Sequence, residues 1–145
     1  MQIANRVYSL AQELNDAALM VGAYRALAGT LYWSGDFEAA QKYARRGLQI
    51  WRSGSVQAAV EEVMSPIVAC LFYGAILDWH LGEITSCEAN MAQAISLAKE
   101  LNDTHALAAA LFFAAVLGHV ESNLAAVESS ASDLIELSTR HNFAY

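Results

Sequence analysis

The sequence contains one stretch, Leu10-Ala-Gln-Glu-Leu-Asn-Asp16, that recurs almost unchanged as Leu97-Ala-Lys-Glu-Leu-Asn-Asp103, 87 residues later. A weaker copy, Leu137-Ser-Thr-Arg-His-Asn-Phe143, follows after a further 40 residues. Two similar tight turns lie between these copies, Trp33-Ser-Gly-Asp-Phe37 and His80-Leu-Gly-Glu-Ile84, and they are 47 residues apart. Because both sets of offsets agree, we infer a repeat of helix pairs, in which each helix ends in a polar turn that begins the next helix.

Apolar residues recur at three- and four-residue spacing, as in Leu27 and Leu31, and the alternation of a half-buried strand is almost absent. The pattern predicts an all-α chain of about seven helices, stacked as an α–α superhelix of antiparallel pairs. We expect helices at approximately 2–14, 17–33, 37–52, 66–81, 85–101, 104–119 and 123–140. These form one domain with a half repeat at 1–16, repeats at 17–52, 66–103 and 104–145, and an insertion at 53–65.

Residues that favour helix starts precede most of these helices. We expect caps at Asp16, Asp36, Asp103 and Ser122, a cap followed by a first-turn proline at Ser65-Pro66, and a capping box of Thr85 with Glu88. Within the insertion, residues 56–64 could form one or two further helical turns.

The repeat resembles the tetratricopeptide repeat family. In the first full unit, the matching residues are Tyr24, Leu27, Ala28 and Leu31 in the first helix, Gly35-Asp-Phe37 in the turn, and Ala40, Ala44 and Gly47 in the second helix. The second unit matches through Leu71, Ala75, Gly82, Ile84, Cys87, Met91 and Ala94, and the third, which lacks the glycine turn, through Leu111, Ala115, Leu124, Val127, Ala131 and Leu134. The stretch from Leu111 to Leu117 is also similar to repeat regions of large bacterial signalling proteins, of the ATPase-coupled nucleotide cyclase or transcriptional regulator type.

The resemblance implies a concave groove, lined by the first helix of each repeat, that holds an extended or helical peptide. Position by position, it assigns to this groove Arg25, Gly29, Tyr32 and Trp33, then Phe72, Ile76, Trp79 and His80, then Phe112, Val116 and His119. The alternative interpretation is that the aromatic members only pack between helices. Some members of the family clamp a terminal carboxylate, but this groove offers Arg25 alone for such a clamp, so an apolar or amphipathic segment fits better.

Composition excludes several other classes of function. The net charge of -7 argues against a nucleic-acid partner, and the apolar runs are shorter than the roughly 20 residues needed to span a membrane. The N-terminal stretch has no uninterrupted apolar region of the kind that secretion signals contain. Two cysteines, Cys70 and Cys87, are interpreted as core thiols in a reducing compartment, which indicates a cytoplasmic protein.

No catalytic motif is evident. The four histidines do not have a metal-ligand spacing, and the basic stripe of Lys42, Arg45 and Arg46 is interpreted as a solvated face with pairs such as Glu38 with Lys42. We therefore expect no enzyme, metal or cofactor, and favour an interaction or autoregulatory scaffold that binds a protein or peptide segment. A small-molecule sensor with an apolar ligand in the aromatic concavity is the alternative, and an enzyme is a distant third. The chain opens in the second helix of a repeat, so we also expect a piece of a larger protein that self-associates through exposed repeat ends.

Overall fold

The computed structural model describes residues 2–58 and 63–143, which contain seven α-helices and no β-strand. Every helix begins and ends within one residue of its predicted bounds. The helices are α1 (Gln2–Leu14), α2 (Ala17–Trp33), α3 (Phe37–Arg52), α4 (Pro66–His80), α5 (Ile84–Glu100), α6 (Thr104–Val120) and α7 (Leu124–His141). None of these helices is both long and apolar enough to cross a membrane.

The helices form two rows. The backbones of α2, α4 and α6 pack side by side, and we call them the inner row. The other four helices are α1, α3, α5 and α7. Within the described residues, each of them packs only against the inner-row helices next to it in the chain, and no backbone contact joins α1 to α7. The helices therefore follow one another in series around no common centre, which is consistent with a helical superhelix.

The core is centred on α4, which is buried along almost its whole length. Its apolar run from Pro66 to Leu77 packs against α3 on one side and α5 on the other, and also against both other helices of the inner row. By contrast, α7 contains no fully buried residue. Burial thus falls from the middle of the series towards its end, as expected where each helix pair is covered by its neighbours.

The turns share one backbone geometry, which explains the repeated sequence. Each helix is followed by a residue with positive φ, in the order Asn15, Gly35, Gly54, Gly82, Asn102, Ser122 and Asn142. Glycine and asparagine adopt this conformation at the least cost. In six of the turns, the next residue donates its N–H to a carbonyl five residues back, as from Asp16 to Ala11 and from Asp103 to Ala98. The Asn-Asp ends in the repeated stretch are therefore helix-terminating turns.

The spacing of these turns gives the length of the repeat unit. The positive-φ residues at Gly82, Asn102, Ser122 and Asn142 are 20 residues apart, as are Asn15 and Gly35. The unit is thus a 40-residue helix pair, longer than the roughly 34 residues of a tetratricopeptide repeat. The 47-residue offset between the two glycine turns contains seven extra residues, and these belong to the insertion.

Three of the predicted caps are confirmed and others are wrong. The side chains of Asp16, Asp36 and Asp103 accept hydrogen bonds from N–H groups in the first turn of the helix that follows each. Ser122 instead has a positive φ, and Asn123 caps α7 through a 3.1 Å bond from the Ala126 N–H.

The predicted capping box of Thr85 with Glu88 is also wrong, because α5 begins at Ile84 and its cap position is Glu83, whose side chain makes no capping bond. Ser65 does occupy the cap position of α4, but its side chain makes no capping bond either. Of the insertion, residues 56–58 and 63–64 are not helical, and the remainder of the possible extra turn lies outside the described residues.

Candidate functional site

Five side chains form an aromatic cluster where α2 and α4 end and α3 begins: Tyr32, Trp33, Phe37, Trp79 and His80. Tyr32 is central, with its ring centroid 5.1 Å from that of Trp33, 5.9 Å from that of Phe37 and 6.2 Å from that of His80. Phe37 and His80 are stacked at 4.2 Å, and Trp79 meets His80 edge-on at 5.2 Å. The structure therefore brings together four of the predicted groove residues and adds Phe37.

The cluster is only partly covered. Trp33 is 70% exposed, whereas Tyr32, Phe37, Trp79 and His80 are half-buried. Trp79 also packs against the main core. Loss of water raises the pKa of Tyr32 and lowers that of His80 below its ordinary value of 6.5, because burial disfavours the charged form of each group. The cluster consequently presents a largely uncharged aromatic surface at neutral pH.

Two predicted groove residues lie in the core instead. Phe72 is 2% exposed and Ile76 is 0% exposed, so neither can contact a partner in this structure. Phe72 stacks on Phe113 at 4.9 Å, so it packs between helices, as the alternative interpretation of the aromatic residues predicts. Gly29 is buried as well. A Cβ at this position would lie 3.0 Å from the Tyr73 hydroxyl oxygen, so α2 and α4 approach closely here.

The other predicted residues are accessible but lie outside the aromatic cluster. Arg25 is exposed on α2, where it borders a groove with Ile3 and Val7 of α1. Phe112 is 46% exposed and its ring meets that of Phe113 at 5.3 Å. Val116 is half-buried and His119 is exposed, both in the second half of α6. The ring of Phe113, which is 5% exposed, connects Phe112 to the aromatic cluster, since it also lies 5.9 Å from the ring of Tyr32.

A buried polar network, which the sequence did not reveal, joins three helices beside the cluster. The carboxylate of Asp78 on α4 is 1% exposed and accepts four hydrogen bonds. On one oxygen, the donors are Gln41 at 2.7 Å and Arg45 at 3.0 Å, both from α3. On the other, they are Ser86 at 2.6 Å and Asn90 at 2.9 Å, both from α5.

This network also corrects the interpretation of the basic stripe. Arg45 forms ion pairs with Asp78 and with Glu83, so it is a structural group between helices and not part of a purely solvated face. The expected pair of Glu38 with Lys42 is not among the ion pairs of the described residues. The sequence signal that could have indicated a buried charge is Asp78, a single aspartate that directly follows the long apolar run.

The two cysteines are free, buried thiols. Burial raises the pKa of Cys70 to about 12 and that of Cys87 to about 11, so both remain protonated at neutral pH. Across residues 2–58 and 63–143, no three histidine, cysteine or acidic side chains lie close enough to hold a metal ion.

Comparison with known proteins gives no family assignment: no protein-family model matches the chain, and no curated protein sequence is significantly similar to it.

Proposed function

We propose that this chain is a non-catalytic interaction or autoregulatory module, whose aromatic cluster holds a peptide or a neighbouring domain. Trp33 carries the proposal. Its side chain is 70% exposed, yet its ring lies edge-on against that of Tyr32 at 5.1 Å. Covering an exposed tryptophan releases water from a large apolar area, and a ring with few rotamers loses little entropy when a partner binds. Tryptophan and tyrosine are for this reason frequent binding hot spots.

The charges around the cluster indicate the chemistry of the partner. The C-terminal ends of α2 and α4 lie here and carry partial negative charge from their helix dipoles. The N-terminus of α3 carries partial positive charge, but the Asp36 carboxylate caps it. The turn after α2 and the start of α3 add the exposed carboxylates Asp36 and Glu38. No lysine or arginine occurs between residues 26 and 41 or between residues 66 and 98. We infer a partner segment with aromatic or aliphatic anchors flanked by lysine or arginine.

The wider setting is part of the same proposal. Pairs of helices with small residues at their crossings support a tetratricopeptide-type repeat; Gly47 of α3, for example, approaches α4 so closely that a Cβ would lie 2.8 Å from Cys70 Sγ. The buried free thiols support a reducing, cytoplasmic compartment. We place the module in a bacterial signalling protein on the strength of the sequence resemblance alone.

The test begins with selection of binders from a library of random peptides displayed on phage, with the chain immobilised. Affinities of the selected peptides are then measured by fluorescence polarisation. Trp33→Ala should weaken binding roughly 30-fold, the effect of losing about 2 kcal/mol at a hot spot. Its circular dichroism should be unchanged, because most of the Trp33 side chain faces water.

Ile135→Ala is the matched control, because this side chain is 66% exposed but lies on α7, away from the cluster. It should bind the selected peptides as the wild type does. Trp79→Ala is less informative, since Trp79 packs against the core and its loss should also lower stability. Equal affinities for Trp33→Ala and the wild type, or a library without binders, would contradict the proposal.

A further inference from the structure

A second site is formed by a cavity of about 430 Å³ between α6 and α7. This volume lies within the range of roughly 300–1,000 Å³ that is typical of small-molecule sites. The cavity shares no lining residue with the aromatic cluster, although the ring of Phe113 in its wall lies 5.9 Å from that of Tyr32. Most of the wall is apolar. The lining residues are Met64, His105, Ala108, Ala109, Phe112, Phe113, Leu134 and Ser138.

The walls of the cavity are held in place by packing outside it. Phe113 is 5% exposed, and its ring contacts those of Phe72 at 4.9 Å and Tyr73 at 5.2 Å on α4. At the start of α6, the His105 ring lies 4.8 Å from the ring of Phe143, the second residue after the end of α7. This contact links the start of α6 to the segment that follows α7, next to the cavity wall.

The polar groups of the wall restrict the chemistry of the ligand. Among the described residues that line the cavity there is no acidic side chain, lysine or arginine, so these residues offer a charged ligand no partner. Of the lining residues that the structure describes, His105 and Ser138 are the two with polar side chains, and neither side chain makes a hydrogen bond to another described residue. They can serve one hydrogen-bonding group of a ligand, while Phe112 and Phe113 cover its apolar part.

We propose that this cavity binds a small, neutral, mostly apolar molecule that carries one hydroxyl, carbonyl or aromatic amine group directed at His105 and Ser138. This activity is distinct from the capture of a protein segment, because both the site and the class of ligand differ. Binding would join α6 to α7 more firmly at the part of the series that buries least surface, so it should stabilise the fold.

The experiment uses 1-aminoanthracene, a neutral fluorescent aromatic amine, as the probe. Titration of the whole chain should give saturable binding of one probe per chain and a higher melting temperature at saturation. Ala109→Leu adds three carbons to the half-buried wall and should weaken binding about tenfold or more. Ser138→Ala removes a hydroxyl and should weaken binding roughly three- to tenfold. The control Ala92→Leu makes the same enlargement on the exposed face of α5 and should bind as the wild type does.

Circular dichroism of each variant shows whether it is folded, and Ser138→Leu fills the cavity from the α7 side should Ala109→Leu prove unfolded. The inference is overturned if the probe does not saturate, or if folded cavity-filling variants bind it as tightly as the wild type. If Trp33→Ala no longer binds the probe but Ala109→Leu still does, the probe binds the aromatic cluster and the assignment is also overturned. Peptide capture is measured separately, so failure of the cavity leaves the proposed interaction site unaffected.

Discussion

Replacement of Asp78 by alanine tests whether the buried polar network holds α3, α4 and α5 in register. The substitution removes the shared acceptor of Gln41, Arg45, Ser86 and Asn90. Gln41 and Asn90 are each 8% exposed, so water cannot readily replace the lost carboxylate at their amide groups. The outcome depends on what these two donors retain.

A buried donor without an acceptor costs about 1–3 kcal/mol. Gln41 keeps a 3.3 Å contact with Glu83, and Asn90 keeps a 3.4 Å contact with Ser86, which places each donor in the lower half of that range. The Arg45 side chain is 48% exposed and still has Glu83, so its contribution is small. The expected loss is about 3 kcal/mol of unfolding free energy, a large part of the roughly 5–15 kcal/mol of a typical domain.

Urea denaturation followed by circular dichroism at 222 nm measures this loss. Asp78→Asn, which keeps one acceptor oxygen, should lie between alanine and the wild type. Asp133→Ala is the control, because Asp133 is exposed on α7 and should change stability by less than about 0.5 kcal/mol. If Asp78→Ala and Asp133→Ala unfold at the same urea concentration with equal slopes, the network does not hold the helices together and the reasoning is refuted.

Three further predictions concern glycines, a titratable group and thiols. In thermal unfolding, Gly22→Ala should stabilise the fold by roughly 0.5–1 kcal/mol, because the new Cβ meets nothing within 4 Å. Gly47→Ala should destabilise the fold by about 1–3 kcal/mol, because its Cβ would lie 2.8 Å from Cys70 Sγ. Burial lowers the pKa of His80, so the unfolded chain binds a proton at a higher pH than the folded chain, and the free energy of unfolding should fall as the pH drops below 6.5. Urea titrations of His80→Phe at several pH values should lack this part of the fall. A pH profile equal to that of the wild type would contradict the prediction. Burial raises the pKa of Cys70 to about 12 and that of Cys87 to about 11, so neither thiol should react with iodoacetamide at pH 8 until urea is added. Rapid alkylation of either thiol in the native chain, measured by mass spectrometry, would disprove this.

The helices and turns could be predicted from the sequence because their signals are local. Helical periodicity sets each helix body, and asparagine or glycine at the left-handed position sets its end, as at Asn102 and Gly35. Ser122 was a wrong prediction because serine and asparagine are both common at caps, so local preference alone did not distinguish Ser122 from Asn123. The turn between α6 and α7 nevertheless has the same backbone hydrogen bond as the other turns, from the Asn123 N–H to the Gly118 carbonyl five residues back.

The site was harder to predict because it depends on how each helix is rotated. Between Pro66 and Leu77, α4 has no polar face, so the pattern could not show that Phe72 and Ile76 point into the core while Tyr73 remains half-buried. Trp79 and His80 lie at the end of α4, where both side chains remain half-buried next to the turn. Asp78 and Arg45 are 33 residues apart, and their contact follows only from the register of α3 against α4.

The uniform turns have a consequence for how such a chain can change in length. The block from Glu83 to Ser122 begins and ends at equivalent points of two turns that both carry a positive-φ residue and a bond spanning five residues. A gene segment that encodes this block could be duplicated or excised in frame, and the new junction would have the same backbone geometry as the old ones. Each such event would lengthen or shorten the row of parallel helices by one step, so the reach of the molecule can be altered without redesign of any connection.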